Sequence, residues 1–199
     1  MKKKIFIACD TNKTSEAKRI ISQTQTDKLD ICYKFGLEFF YSKNGRKFIS
    51  KLKGKKIFLD IKASDIPVTC SKAINSLKDL KNLNYITVHA NAGSETVKAV
   101  IRAAKKSLPN LKVLLVTVLT SISNTSIKKI GHTKSIKELV KKQALMAKAC
   151  RCHGIVCAGS DLKFVKKIFK GEIITPGIRF KGDNAGDQKR IMGPKEAFE

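Results

Sequence analysis

Residues 56–67 read Lys56-Ile57-Phe58-Leu59-Asp60-Ile61-Lys62-Ala63-Ser64-Asp65-Ile66-Pro67. The stretch opens as an unbroken apolar run, the pattern of a parallel strand covered on both faces. It then carries two charges, Asp60 and Lys62, into that run. Two residues apart on a strand, they share one face. Charge inside a sheet costs several kcal/mol unless it is paired. The pair is therefore either a structural salt bridge or a working site at the C-terminal end of the strand. Asp65 lies just beyond it.

Outward from this stretch the chain alternates strand and helix. Strands are expected at Lys4–Cys9, Leu29–Lys34, Lys56–Ile61, Leu83–His89, Lys112–Val118, Gly154–Cys157 and Glu172–Thr175. Helices are expected at 13–23, Tyr41–Leu52, Pro67–Lys81, Ser94–Leu108, Ser135–Arg151 and Asp161–Phe169, with Pro67 in a first turn and Pro109 as a stop. Ser121–Lys134 and Lys181–Lys189 read as loops. Such alternation argues for α/β architecture with a parallel sheet. A doubly wound sheet would fit the alternation too. However, Asp10, Lys34, Lys62, His89, Thr120 and Thr175 put a polar group at the C-terminal end of most strands, which favours a (β/α)8 TIM barrel. No Gly-x-Gly-x-x-Gly follows the first strand, so a dinucleotide-binding fold lacks its mark. Residues 1–199 are expected to form one barrel domain that stops before the eighth strand.

Lys62 between carboxylates suits a charged ammonium rather than a Schiff-base amine. Proton delivery to a carbanion, or stabilisation of one, is the chemistry such a group can do. Lys34, Asp60, Lys62 and Asp65 form a candidate alternating network, with Asp10 able to join from the first strand. It needs no metal, although paired carboxylates can hold magnesium. Thr175-Pro176-Gly177-Ile178-Arg179 follows the seventh strand, where barrels commonly bind phosphate. Arg179 offers the donor fork and Gln188 an amide.

Composition narrows the alternatives. Lys plus Arg is 41 against 16 Asp plus Glu, a net charge of +25, which would draw polyanions in general. The lysines are scattered, aromatics are 7% and Trp is absent, so stacking platforms for a specific nucleic-acid site are sparse. No apolar run approaches a membrane span, and the short apolar segment before Asp10 does not make a signal peptide. The six cysteines form no Cys-x-x-Cys pair, which suits reduced thiols in a cytoplasmic protein. Cys150-Arg151-Cys152-His153 is a weak metal candidate, with a helix end of buried thiols as the plainer reading.

Taken in order, the motifs resemble a known family. Asp60-Ile61-Lys62-Ala63-Ser64-Asp65-Ile66-Pro67-x-Thr69 is similar to the signature of the orotidine 5'-phosphate decarboxylases. Asp10, Lys34-Phe35-Gly36-x-Glu38-x-Phe40, Val88-His89-Ala90, Val116–Ser121, Gly154–Cys157, Thr175–Arg179 and Gly186–Arg190 follow the same family's strand ends. The matches run from Asp10 to Pro194.

The resemblance implies conversion of orotidine 5'-phosphate to UMP in pyrimidine biosynthesis, with no cofactor and no metal. It implies that Asp60 crowds the substrate carboxylate and that Lys62 protonates C6. Lys34 and Asp10 would hold the ribose hydroxyls, and Thr120 and Ser121 the pyrimidine edge. Arg179 and Gln188 would grip the phosphate, and Pro176 would also bind substrate. Asp65 and Thr69 would reach the partner's site in a homodimer. Ser64 stands where many relatives carry His, Ala63 where they often carry an aromatic, and Gly193 where a Thr usually precedes the last helix as a cap. The family also continues into an eighth strand with a phosphate-binding arginine, beyond Glu199 here. The nearest rivals, hexulose-phosphate synthases and keto-gulonate-phosphate decarboxylases, share Asp-x-Lys-x-x-Asp but use magnesium and carry an acidic residue at the position of Lys34. A noncatalytic polyanion-binding protein is the rival of a different class.

Overall fold

Seven strands run parallel in the order β1 Lys4–Ala8, β2 Asp30–Gly36, β3 Lys56–Ala63, β4 Leu83–His89, β5 Lys112–Val116, β6 Gly154–Val156 and β7 Glu172–Ile174. The structure is a computed structural model and describes residues 3–180, 182 and 192–198. Helices α1 Thr14–Gln23, α2 Leu37–Tyr41, α3 Gly45–Lys51, α4 Pro67–Asn75, α5 Gly93–Ser107, α6 Asn124–Lys129, α7 Ile136–Ala149 and α8 Leu162–Ile168 lie between the strands. A ninth helix, α9, spans Pro194–Phe198.

The sheet curls rather than lying flat. In a flat sheet of this width, β1 and β7 would lie roughly 29 Å apart at the usual strand spacing. Here Lys4 of β1 and Glu172 of β7 form an ion pair at 3.3 Å. Each strand also sends one side chain to a shared interior: Phe6, Cys32, Phe58, Tyr85, Leu114, Val156 and Ile174. Phe6 on β1 meets both Phe58 on β3, at 5.4 Å between ring centres, and Tyr85 on β4, at 5.3 Å. Contact between non-neighbouring strands across an interior is what distinguishes a barrel from a doubly wound sheet. Among the described residues, side chains rather than a hydrogen-bonded ladder join β1 and β7. Among the described residues the fold is thus an open barrel of seven parallel strands, the architecture expected of a (β/α)8 barrel short of its eighth strand.

This geometry explains the unbroken apolar strands. On β3, Phe58 points into the barrel, while Ile57 and Leu59 point out against the helices, and all three are buried. Each such side chain contributes about 1.5–3 kcal/mol on leaving water. The outer layer is the larger core, into which the helices insert residues such as Ile49, Ile74, Val100, Val140 and Val165.

Three expectations need correction. The helix expected at Tyr41–Leu52 is two helices, α2 and α3, broken at residues 42–44. Ser42 ends α2, its hydroxyl donating to the carbonyl of Phe39 at 2.7 Å. Gly45 then passes so close that a Cβ there would lie 1.7 Å from the carbonyl oxygen of Phe39, so only glycine fits. The helix at Pro67 ends at Asn75 rather than Lys81, where Ser76 turns its hydroxyl back to the carbonyl of Ala73. The loop expected at Ser121–Lys134 contains α6, started by a reciprocal Ser123–Ser126 capping box. The loop expected at Lys181–Lys189 lies, apart from Gly182, outside the described residues. No described helix is long and apolar enough to cross a membrane.

Candidate active site

The C-terminal ends of the strands surround one cavity of about 560 Å³, a size suited to a small ligand. Its lining divides by chemistry. Asp10, Lys34, Asp60 and Lys62 come from the β1–β3 side. Thr120, Ser121, Pro176 and Arg179 come from the loops after β5 and β7. Apolar side chains such as Phe58, Val118 and Ile174 lie between them and keep the local dielectric low.

The charged side is a chain of alternating sign. Lys34 Nζ donates to Asp10 Oδ1 at 2.9 Å and lies 3.9 Å from Asp60 Oδ2. Lys62 Nζ donates to the same Asp60 oxygen at 2.9 Å. Exposure falls along it, from 65% for the Asp10 side chain to 15% for Asp60. Asp60 is therefore the anion that most needs its partners.

How Asp60 and Lys62 meet differs from the simple strand expectation. The ladder between β3 and β4 pairs Leu59 with Ile86 and next Ala63 with Val88. Three residues of β3 thus stand opposite one residue of β4, Thr87. This is a bulge, a device that re-aims side chains. Lys62 sits at its apex in the left-handed region, with φ +47°. A non-glycine residue held there costs about 1–3 kcal/mol, and such strain gathers at functional sites. The side chains of Asp60 and Lys62 still meet, but on a bent backbone.

Thr87 was not singled out in the sequence, and it completes the site. It is fully buried. Its hydroxyl donates to Asp60 Oδ1 at 2.9 Å and accepts the backbone N–H of Lys62 at 2.8 Å. The available signal was a lone Thr in the middle of an otherwise apolar strand, Tyr85-Ile86-Thr87-Val88. His89, at the end of β4, accepts the N–H of Asn91 on Nδ1 at 3.2 Å. Burial first, and the charge of Lys62 second, hold this imidazole below its ordinary pKa.

The sequence profile of the Orotidine 5'-phosphate decarboxylase / HUMPS family matches residues 3–199. The chain belongs to that family. Among curated proteins, the orotidine 5'-phosphate decarboxylase of Staphylococcus saprophyticus is 36% identical over 204 residues, covering 100% of this chain and 86% of the relative. That of Buchnera aphidicola is 38% identical over 207 residues, covering 98% of this chain and 83% of the relative. Among solved structures, the enzyme of Lactobacillus acidophilus superposes with a TM-score of 0.81 at 32% identity, covering 89% of this chain and 82% of that one. The orotidine 5'-monophosphate decarboxylase of Methanocaldococcus jannaschii, complexed with the inhibitor BMP, gives 0.74 at 30% identity, with 94% and 83% covered.

Within this family member, the expected site residues fall into three groups. Asp10, Lys34, Asp60, Lys62, Thr120, Ser121, Pro176 and Arg179 converge on the cavity. Asp65 and Thr69 do not line it and are exposed at the start of α4. The Asp65 carboxylate accepts the N–H of Ile66 at 2.6 Å and stands apart from the charge chain. Gln188 lies outside the described residues. Arg179 is anchored through its backbone N–H, which donates to the carbonyl of Met192 at 3.0 Å. The position of Gly193, read as a lost cap, keeps half of a capping box: its N–H donates to Glu196 Oε2 at 3.2 Å.

The candidate metal group Cys150, Cys152 and His153 is a helix end. Both thiols are buried, and His153 Nδ1 accepts the N–H of Val113 at 3.1 Å. Burial pushes the Cys152 thiol up to about 12, far from a metal-binding thiolate at neutral pH. Among the described residues, no group of three or more His, Cys, Asp or Glu is placed to hold a metal ion.

Proposed function

We propose that this chain decarboxylates orotidine 5'-phosphate to UMP, through one barrel domain spanning residues 1–199. The observation that carries the reading is the alternating chain Asp10–Lys34–Asp60–Lys62 at the rim of the cavity. Asp60 lies next to the substrate carboxylate and raises its energy relative to the transition state. The bond from C6 to that carboxylate breaks, CO2 leaves, and the electron pair stays on C6. The Lys62 ammonium stabilises this charge and donates a proton to C6, giving UMP, and the resulting amine takes a proton from solvent. Lys34 and Asp10 hold the ribose hydroxyls. Thr120 and Ser121 meet the pyrimidine edge, while Pro176, Arg179 and Gln188 line the phosphate end. No cofactor takes part.

The reading also makes the protein a cytoplasmic homodimer in which Asp65 and Thr69 reach the partner's site. Two exposed apolar side chains beside them, Ile66 at 65% and Val68 at 60%, support a partner on this face.

The test follows the ultraviolet absorbance of orotidine 5'-phosphate in the presence of a chelator, on this chain and on one extended by an eighth strand and helix. Turnover that survives chelator and disappears in Lys62→Ala is expected. Silence in both chains sinks the reading. Turnover of a hexulose or keto-gulonate phosphate that needs added magnesium would favour the rival chemistry.

A further inference from the structure

We infer that Thr87 is a positioning residue for the decarboxylation proposed above, setting the geometry of both Asp60 and Lys62 through one hydroxyl. The inference rests on that reading for its kinetic readout only.

The Asp60 carboxylate divides its two oxygens. Oδ2 faces Lys62 Nζ at 2.9 Å and Lys34 Nζ at 3.9 Å. Oδ1 accepts from Thr87 at 2.9 Å. The Thr87 bond therefore fixes the rotation of the carboxylate about its last side-chain bond and keeps Oδ2 turned toward the lysines. The same hydroxyl accepts the N–H of Lys62 at 2.8 Å. In the bulge, that N–H sits opposite a side chain rather than a strand carbonyl, and buried N–H groups need a partner. The bond pins the residue with φ +47°, and so it aims the lysine. A hydroxyl can do both at once because it donates one proton and accepts on its lone pairs. An apolar residue can do neither.

The chemistry makes such control matter. Proton delivery to C6 requires the ammonium to stay in line while Asp60 stays close to the departing carboxylate. Misplacement of reacting groups by about 1 Å can cost about 100-fold in rate.

Thr87→Val keeps the volume and the β-branch and removes the hydroxyl. Thr87→Ser keeps the hydroxyl and removes the methyl. Val is expected to lower kcat about 100-fold with KM close to wild type. Ser is expected to restore most of kcat while melting earlier than wild type, because a buried methyl is gone. Wild-type kcat in Val overturns the inference, as does a Ser variant as slow as Val. A second readout needs no turnover: exchange of the Lys62 amide hydrogen, followed by NMR. Exchange faster in Val and protected in Ser supports the role, and protection unchanged in Val overturns it. Absence of turnover in both the wild-type chain and its extended form would sink the decarboxylase reading instead, and the exchange measurement would still decide whether Thr87 holds Lys62.

Discussion

Both ends of this barrel carry a knot of charge, and the two knots are built differently. At the N-terminal end, Glu172 of β7 gathers three donors. Lys4 lies at 3.3 Å, the Tyr85 hydroxyl at 2.9 Å, and Lys112 closes the set. One carboxylate is thereby saturated, on regular strands. At the C-terminal end, two carboxylates and two lysines alternate along a line, facing a cavity, on a strand that bulges and holds Lys62 at a positive φ. Charge inside a barrel is therefore no mark of function by itself. A saturated carboxylate closes the molecule, here across the seam between β1 and β7. An alternating line with cavity on one side and strain beneath it has capacity left for a ligand.

If that contrast holds, single substitutions at the two ends must fail in different ways. The largest effect is expected for Lys62→Ala. On the proposed mechanism this removes the proton donor and lowers kcat by about 10²–10⁴-fold. Thermal stability should stay near wild type, since the lysine is partly exposed. Steady-state kinetics beside a melting curve separates the two quantities. A variant that melts early but turns over normally would reassign Lys62 to the structural class.

Glu172→Gln should do the reverse. It leaves Lys4 and Lys112 without their counter-charge next to the barrel interior. Breaking a fully buried pair costs about 3–5 kcal/mol, and these groups are only part-buried, so a loss of roughly 1–3 kcal/mol is expected. Urea titration measures it, and kcat of the folded protein should not move. Unchanged stability would mean that the seam is held by the interior side chains alone.

Acidification should lower stability in two stages. Burial first, then Lys62 for His89 and Lys112 for His153, hold both imidazoles below the ordinary 6.5. The unfolded chain therefore takes up protons on these rings at a pH where the folded chain does not. Their contribution is complete above about 6.5 and is lost as pH falls toward the folded values. Glu172 follows at lower pH. Burial raises its carboxyl, but the bonds from Lys112 and Tyr85 and the charge of Lys4 outweigh that, so the net position is below 4.5. Its contribution is present above that value and is lost below it. Melting temperature against pH should fall in two stages, and Glu172→Gln should remove only the second.

Much of this contrast was legible in the sequence on one side and hidden on the other. Apolar runs ending in a polar residue announced the strands and the rim, because a covered parallel sheet leaves only its ends for polar groups. Asp60 and Lys62 stood out because charge inside such a run is costly. Glu172, Lys4 and Lys112 did not, because each begins a strand, where any lysine or glutamate passes as a solvated end. Only the closure of the barrel brings these three strand starts together. Thr87 was hidden for a related reason. Its role depends on a bulge in the neighbouring strand, and pairing register is not a local property of Tyr85-Ile86-Thr87-Val88. The break between α2 and α3 could have been read locally: Ser42-Lys43-Asn44-Gly45 is turn chemistry.

The smallest expected effect gives the sharpest comparison, because each end carries its own histidine reporter. His89 senses Lys62, and His153 senses Lys112 and Glu172. Lys62→Met removes a positive charge near His89, which makes protonation easier, so the His89 pKa should rise while His153 stays. Lys112→Met should raise His153 and leave His89. Glu172→Gln should push His153 further down, since the carboxylate is what favours its charged form. Proton NMR titration of the ring C–H signals reads all three variants on the same axis. Independent shifts would establish two electrostatically separate ends of one barrel. A His89 signal that follows Lys112, or a His153 signal that follows Lys62, would mean that the interior layer between them transmits charge, and the division into a saturated end and an available end would fail.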